Sequence, residues 1–436
     1  MAFFYICGPF RSYIASGDNL AEMLTQLNAL LWGKGMTLAL IVSALFFTRF
    51  VPFGQLGKSF RKVFGDHAGR DAFFTALAGT LGIGGMAGVA AAIALGGAGA
   101  VFWMGVSALA GMVLKYVEVT LSCKTQVKTA QGWRGGAMVL LEKTHHPLLA
   151  LCFCVCCMMA AFGTGALVPA FSVGEALRMA LDIPPWLSAA LFTLAAALVL
   201  CGKSKAVLRA NRILIPLAAL SYIALCLWII FTHVHALGTV CAQIMREAFD
   251  LSAAFGGGSG FALGRAVRYG VSRGIFSHEA GMGSAPLAYA SQPVDDPDAQ
   301  GCMGIAEVFV DTFVICMLTA FVVLILGGEQ GGSGMMLMMS VFTRALGRAG
   351  APVAAAFIVL FAFPCVLGWY YYASQCLTYL SDSVRFAHGY RLVFLGMLAL
   401  GASMGPLAWE LSDAGNGCMT ALNLLALFLA RRFADP

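Results

Sequence analysis

Residues 76–89, Ala76-Leu-Ala-Gly-Thr-Leu-Gly-Ile-Gly-Gly-Met-Ala-Gly-Val89, are apolar enough to cross a bilayer, yet glycine occupies positions 79, 82, 84, 85 and 88. Each glycine inside a helix costs about 1 kcal/mol relative to alanine, so this stretch predicts a helix that breaks. Broken backbone in hydrocarbon is tolerated only where the freed N–H and C=O groups line a cavity and meet a ligand or ion. The lipid setting follows from composition. Hydrophobic residues make up 60% of the chain and charged residues 11%, against roughly a quarter charged in soluble proteins. Apolar runs of about 20 residues recur along the chain, the length of one membrane-crossing helix. The short alternating segments of a membrane barrel do not occur. The expected fold class is therefore an all-α membrane protein, a single polytopic domain.

The length criterion predicts about eleven spans: residues 36–47 extended by 27–32, then 72–95, 98–121, 148–179, 186–200, 213–231, 240–269, 302–326, 352–380, 392–407 and 418–429. Basic residues follow the odd-numbered spans: Lys58, Arg61, Lys62 and Arg70; Lys124, Lys128, Arg134 and Lys143; Lys203, Lys205, Arg209 and Arg212; Arg265, Arg268 and Arg273; Arg385 and Arg391; Arg431 and Arg432. The positive-inside rule then puts the N-terminus outside and the C-terminus in the cytoplasm of a cell, or bacterial inner, membrane. The net charge of +6 reads as topology and gives no reason to expect nucleic acid.

A second glycine run, Gly256-Gly-Gly-Ser-Gly260, interrupts the seventh span. Two interrupted helices five spans apart cross in opposite directions. They predict inverted five-helix repeats over residues 72–232 and 239–431, preceded by an extra helix and loop at 27–71, with a transport site at the bilayer midplane. Half-helix N-termini there offer N–H groups to a carboxylate and C-termini offer carbonyls to a cation. An amino acid is the natural ligand. The competing reading is that these glycines merely let helices pack closely. The match of Gly82-Ile-Gly-Gly-Met-Ala87 to a dinucleotide fingerprint lacks the strand, the water-facing helix and the later acid that motif requires.

Longer segments resemble the alanine or glycine:cation symporters: Gly79 to Val89, Ala92 to Met104, Gly111-Met-Val-Leu-Lys-Tyr-Val-Glu118, Arg273-Gly-Ile-Phe-Ser-His-Glu-Ala-Gly-Met-Gly-Ser-Ala-Pro286, Glu307-Val-Phe-Val-Asp-Thr312 and Leu367-Gly-Trp-Tyr-Tyr-Tyr372. The resemblance extends from about Leu27 to Leu429. It implies the inverted-repeat fold of the amino acid, polyamine and organocation superfamily and uptake of alanine or glycine with sodium as the coupling ion. It also implies that Gly82, Ile83, Gly84, Gly85, Phe171 and Trp369 surround the substrate. Several positions depart from the family pattern. Ile83 and Gly85 stand where threonine and asparagine are usual, and Pro169 and Phe171 where glutamine and asparagine are usual. The implied sodium site falls on Gly79, Thr80, Pro364 and Cys365. A thiol is a poor ligand for a hard ion, although Pro364 frees a carbonyl one turn earlier.

Intramembrane acids are functional candidates by default. Glu307 and Asp311, one turn apart, read either as a proton relay or as partners of a basic residue such as Arg273, and Glu279 as a gate or brace. His278 replaces the usual asparagine and could make gating pH-sensitive. The cysteines at 152, 154, 156 and 157 read as a packing face rather than a metal cluster. No nucleophile, base and orienting acid converge, so no enzyme and no cofactor are expected, and a monomer in the lipid bilayer is. The alternative function is a transporter-derived binding or sensing protein, with impaired or proton-linked coupling.

Overall fold

The computed structural model describes residues 20–51, 54, 67–130, 132–202, 204–249, 260–327, 334–405 and 407–433. In order, its helices are α1 (Leu20–Leu31), α2 (Lys34–Phe47), α3 (His67–Thr80), α4 (Ala87–Gly96), α5 (Gly99–Lys124), α6 (Ala137–Lys143), α7 (Pro147–Phe162), α8 (Val168–Leu181), α9 (Pro185–Leu200), α10 (Ser204–Thr232), α11 (Leu237–Ala248), α12 (Gly260–His278), α13 (Pro286–Tyr289), α14 (Pro297–Val308), α15 (Met317–Leu326), α16 (Gly334–Leu346), α17 (Gly350–Leu380), α18 (Val384–Gly401) and α19 (Leu407–Leu429). One short antiparallel hairpin, Val127–Thr129 with Gly132–Arg134, lies between α5 and α6. Arg134 ties it to the bundle by donating to the Thr378 carbonyl at 2.7 Å.

Helix starts follow local chemistry. Proline occupies the first turn of α7, α9 and α14, where its missing N–H costs nothing. Asp296 caps α14 by accepting from the Ala299 N–H at 2.9 Å. Six helical stretches among the described residues are long and apolar enough to cross a membrane: 22–50, 99–124, 147–181, 206–232, 297–326 and 334–380. Two of them, α7–α8 and α14–α15, continue through wider π-type turns at Gly163–Leu167 and Phe309–Cys316, an irregularity that often marks functional sites.

Buried core residues form one large cluster that threads the bundle. Helix α5 is wrapped by α12 and α14, with α2 on its outer side, while α17 packs on α3, α7, α8 and α10. At the N-terminal end α1 is fastened to α19: Asn28 donates to Glu410 Oε2 at 2.6 Å and the Trp32 indole to the Asp413 carbonyl at 2.8 Å.

The expected interruption of the seventh span at 256–260 falls almost wholly outside the described residues: α11 ends at Ala248 and α12 begins at Gly260. Residues 256–259 of the second glycine run lie outside the described residues. The methionine run lies on α16, with Met335, Met338 and Met339 turned inward. Cys154 and Cys157 face the core from α7.

Candidate substrate site

The first break lies where the glycines predict it. Helix α3 ends at Thr80, a single tight turn covers Ile83–Gly85, and α4 starts at Ala87. The Leu81 N–H still reaches the Leu77 carbonyl at 2.7 Å, and Gly82 then leaves helical geometry at φ −85°, ψ −149°. The first N–H groups of each new turn have no acceptor within it. Every residue from Phe73 to Ala90 except Phe74 is buried, so these groups face the protein interior.

A second break faces it. Helix α12 stops at His278, and Glu279, Gly281 and Gly283 follow at φ 51°, 84° and 77° before α13 begins. Positive φ is natural for the glycines and costs Glu279 about 1–2 kcal/mol. A non-glycine residue held there points to function. The two breaks touch: a Cβ added to Gly84 would stand 3.1 Å from the Ser277 Cα and 3.3 Å from the Phe276 ring. A side chain there would require Ser277 or Phe276 to give way by a few tenths of an ångström.

Between the breaks is a small pocket of about 10 Å³, lined by Gly79, Thr80, Gly82, Ile83, Gly84, Thr164, Val168, Pro169, Phe276, Glu279 and Cys365. That is room for about one water, so admitting an amino acid requires the walls to part. Cys365 lies against the first break, its thiol 3.7 Å from the Gly79 carbonyl and 3.9 Å from that of Thr164. Pro364 is buried in the middle of α17 and Thr80 bonds back to its own helix at Leu77. Trp369 is fully buried and stands behind the pocket, its indole donating to Glu279 Oε1 at 2.9 Å. Trp369, Gly85 and Phe171, three of the residues expected around the substrate, lie outside the lining. Gly85 turns toward Ile315, and Phe171, on α8, is only partly buried against the core.

The break carries Glu279 into the core. It is 1% exposed, and its second oxygen accepts from the Ser284 hydroxyl at 2.6 Å. Glu307 and Asp311 are also fully buried. Their expected partner Arg273 is elsewhere: it pairs with Asp413 at 2.8 Å and lies over Phe276 and Trp409. Glu307 instead binds Lys115 at 3.2 Å and accepts from Tyr289 at 3.1 Å. Lys115 also stands 3.8 Å from Glu118. Glu118 in turn accepts from the Gly283 N–H at 3.2 Å and from Asn423 at 2.8 Å, which clamps the second break to α5 and α19. Asp311 accepts from Ser277 at 3.0 Å and from Thr312 at 2.9 Å. His278 is buried with its ring over Gly111, and its Nδ1 accepts from the Ala280 N–H at 3.1 Å.

The chain matches the sodium:alanine symporter family over residues 17–434. It belongs to that family. It is 34% identical over 437 residues to the sodium/alanine symporter AgcS of Methanococcus maripaludis, covering 94% of this chain and 95% of the relative. It is 32% identical over 365 residues to the amino-acid carrier protein AlsT of Bacillus subtilis, covering 83% and 78%. The structure is similar in fold to a Na+-coupled sialic acid symporter in a substrate-bound outward-open state, with a TM-score of 0.55 at 16% identity, covering 92% of this chain and 87% of that one.

A member of the sodium:alanine symporter family is a multi-pass secondary transporter and not an enzyme. Against that background, Lys115, Glu118 and Asn423 are the residues that sequence reading overlooked. Lys115 and Glu118 sit in a quoted family segment, and an i,i+3 pair of opposite charges within an apolar span was itself the signal. Asn423 carries no such signal, since it meets Glu118 only through the tertiary fold.

Proposed function

We propose that this protein imports a small neutral amino acid, alanine or glycine, by symport with sodium, through alternating access around the two breaks. The observation that carries the reading is the close approach of Gly84 to Ser277 and Phe276, with a small pocket between two interrupted helices. The Gly82, Ile83 and Gly84 backbone presents N–H groups to the substrate carboxylate. Ile83, Val168, Pro169 and Phe276 leave room only for a small apolar side chain once the walls part. The helices from residue 72 to 232 and from 239 to 431 form the two inverted halves, with the breaks at matching places in each. The N-terminus lies outside and the C-terminus in the cytoplasm of the cell membrane, and a monomer carries out transport.

Sodium sits at the end of the first break, held by the Gly79 carbonyl with help from Thr80 and the α17 backbone ahead of Pro364. The thiol of Cys365 replaces an oxygen there, so the ion is held weakly. Uptake of labelled alanine into proteoliposomes, with and without a sodium gradient, tests the reading. Accumulation that ignores sodium removes symport and leaves a transporter. A second reading, a binding or sensing protein derived from a transporter, is favoured by the apolar residues Ile83 and Pro169 in the lining. Alanine binding without accumulation would select it.

A further inference from the structure

We infer that a groove bounded by α2, α5 and α12 binds a membrane-dissolved molecule that carries one hydrogen-bond acceptor, such as a ketone carbonyl, at the end of an apolar body. The groove holds about 470 Å³, within the range of small-molecule sites. It shares no lining residue with the pocket between the breaks. Its ligand comes from the bilayer. Helices α2 and α5 lie in the apolar stretches 22–50 and 99–124, and Ile41, Leu45 and Leu109 of the lining are exposed. On membrane-crossing helices such side chains meet hydrocarbon, so whatever enters between them enters from lipid.

One polar atom in the groove is unspent. The lining carries five polar side chains, Thr37, Thr48, Trp103, Ser107 and His278. Thr37 donates to the Gly33 carbonyl at 3.4 Å, Thr48 to that of Ala44 at 2.7 Å and Ser107 to that of Met104 at 2.7 Å. The Trp103 indole donates to the Ala248 carbonyl at 3.1 Å. His278 is the exception: it is 1% exposed, and its Nε2 has no partner among the described residues. Its Nδ1 accepts from the Ala280 N–H, which puts the proton of a neutral ring on Nε2. The unspent atom is therefore a donor.

That donor selects the ligand. A buried N–H without an acceptor is destabilising, and a lipid acyl chain can fill the groove but cannot pair it. Water is a poor occupant, because a buried water needs about two to four polar partners and the other polar side chains are engaged. An acceptor on an apolar body satisfies both the walls and the ring. From Trp103 to Leu114, α5 rises about 16 Å. Just beyond His278, a Cβ added to Gly281 would stand 3.0 Å from Leu40 and 3.3 Å from Leu114, so the groove stops there. The acceptor thus sits at the His278 end of the ligand, and the chain runs toward Trp103. His278 and Glu279 are consecutive yet belong to different cavities, so the ligand touches the second break without entering the pocket.

Titration of the full chain in lipid nanodiscs with methyl nonyl ketone, its isomer dipentyl ketone and undecane tests this. Thermal stabilisation reads binding, and the infrared carbonyl band of the bound ketone reads the hydrogen bond. Methyl nonyl ketone is expected to saturate at about tenfold lower concentration than undecane, the gain from pairing a buried donor, with its carbonyl band moved to lower frequency. Dipentyl ketone, whose carbonyl is central, is expected to bind no better than undecane. His278→Phe keeps a ring and removes the donor, and is expected to abolish both the band shift and the advantage over undecane. Ala110→Phe, which fills the groove and leaves His278 in place, is expected to lose saturable binding of all three. Undecane or dipentyl ketone matching methyl nonyl ketone on the wild type overturns the assignment, as does an unshifted band or a shift that survives in His278→Phe. Undiminished binding in Ala110→Phe also overturns it, and the wild-type titration with that variant decides the matter if His278→Phe does not fold.

Discussion

Replacing Lys115 by methionine removes the one positive charge shown among the buried carboxylates while keeping most of the side-chain volume. Lys115 is fully buried, 3.2 Å from Glu307 and 3.8 Å from Glu118. Without it, Glu307 keeps only the Tyr289 hydroxyl, and Glu118 keeps Asn423 and one backbone N–H. Breaking a buried ion pair from one side costs about 3–5 kcal/mol, because the remaining charge stays in a low-dielectric interior. At about 2 °C per kcal/mol for a chain of this size, the melting temperature falls by about 6–10 °C. A thiol-reactive dye reads the transition directly, since Cys123, Cys157, Cys302, Cys316, Cys365 and Cys376 are buried and become reactive on unfolding. The double variant Lys115→Met with Glu307→Gln removes the orphaned charge and keeps an acceptor for Tyr289, so it recovers at least half of the loss. A single variant melting within 2 °C of wild type, or a double variant no better than the single, refutes the reasoning.

Other consequences are simpler to read. Ile83→Thr places a hydroxyl in the lining and lowers the alanine concentration for half-maximal uptake by about 2–10-fold, one net hydrogen bond. Gly85→Asn, which turns toward Ile315, gives no such gain, and its transport assay separates the two positions. Cys365→Ser exchanges a thiol 3.7 Å from the Gly79 carbonyl for a hydroxyl and lowers the sodium concentration for half-maximal uptake, as measured by sodium titration. Arg273→Gln loosens a partly exposed pair with Asp413 and costs about 1 kcal/mol, well below the Lys115 effect in the same melting assay.

Much of this arrangement was legible in the residues. Apolar length and composition identified the membrane class, and glycines at 79, 82, 84 and 85 located the first break because helix propensity is a local property. The break after His278 was not read from the sequence. A glycine run at 256–260 drew attention, whereas the observed break uses Glu279, Gly281 and Gly283, whose positive φ values come from the fold around them. Gly281 packs against Leu40, Leu114 and Leu424, and Gly283 against Asn423, none of them near in sequence. Pairing failed for the same reason: Glu307 lies 192 residues from Lys115, and neither position names the other. Trp369 was placed beside the substrate by resemblance, while the structure sets it one layer back, orienting Glu279.

Counterflow of labelled alanine bears most directly on the central claim that two facing breaks pass a small zwitterion across the bilayer. Proteoliposomes loaded with unlabelled alanine and diluted into labelled alanine should show a transient overshoot with the wild type. Gly84→Val, whose side chain would be driven into Ser277 and Phe276, should show none. No overshoot in the wild type, or an undiminished one in Gly84→Val, contradicts the account.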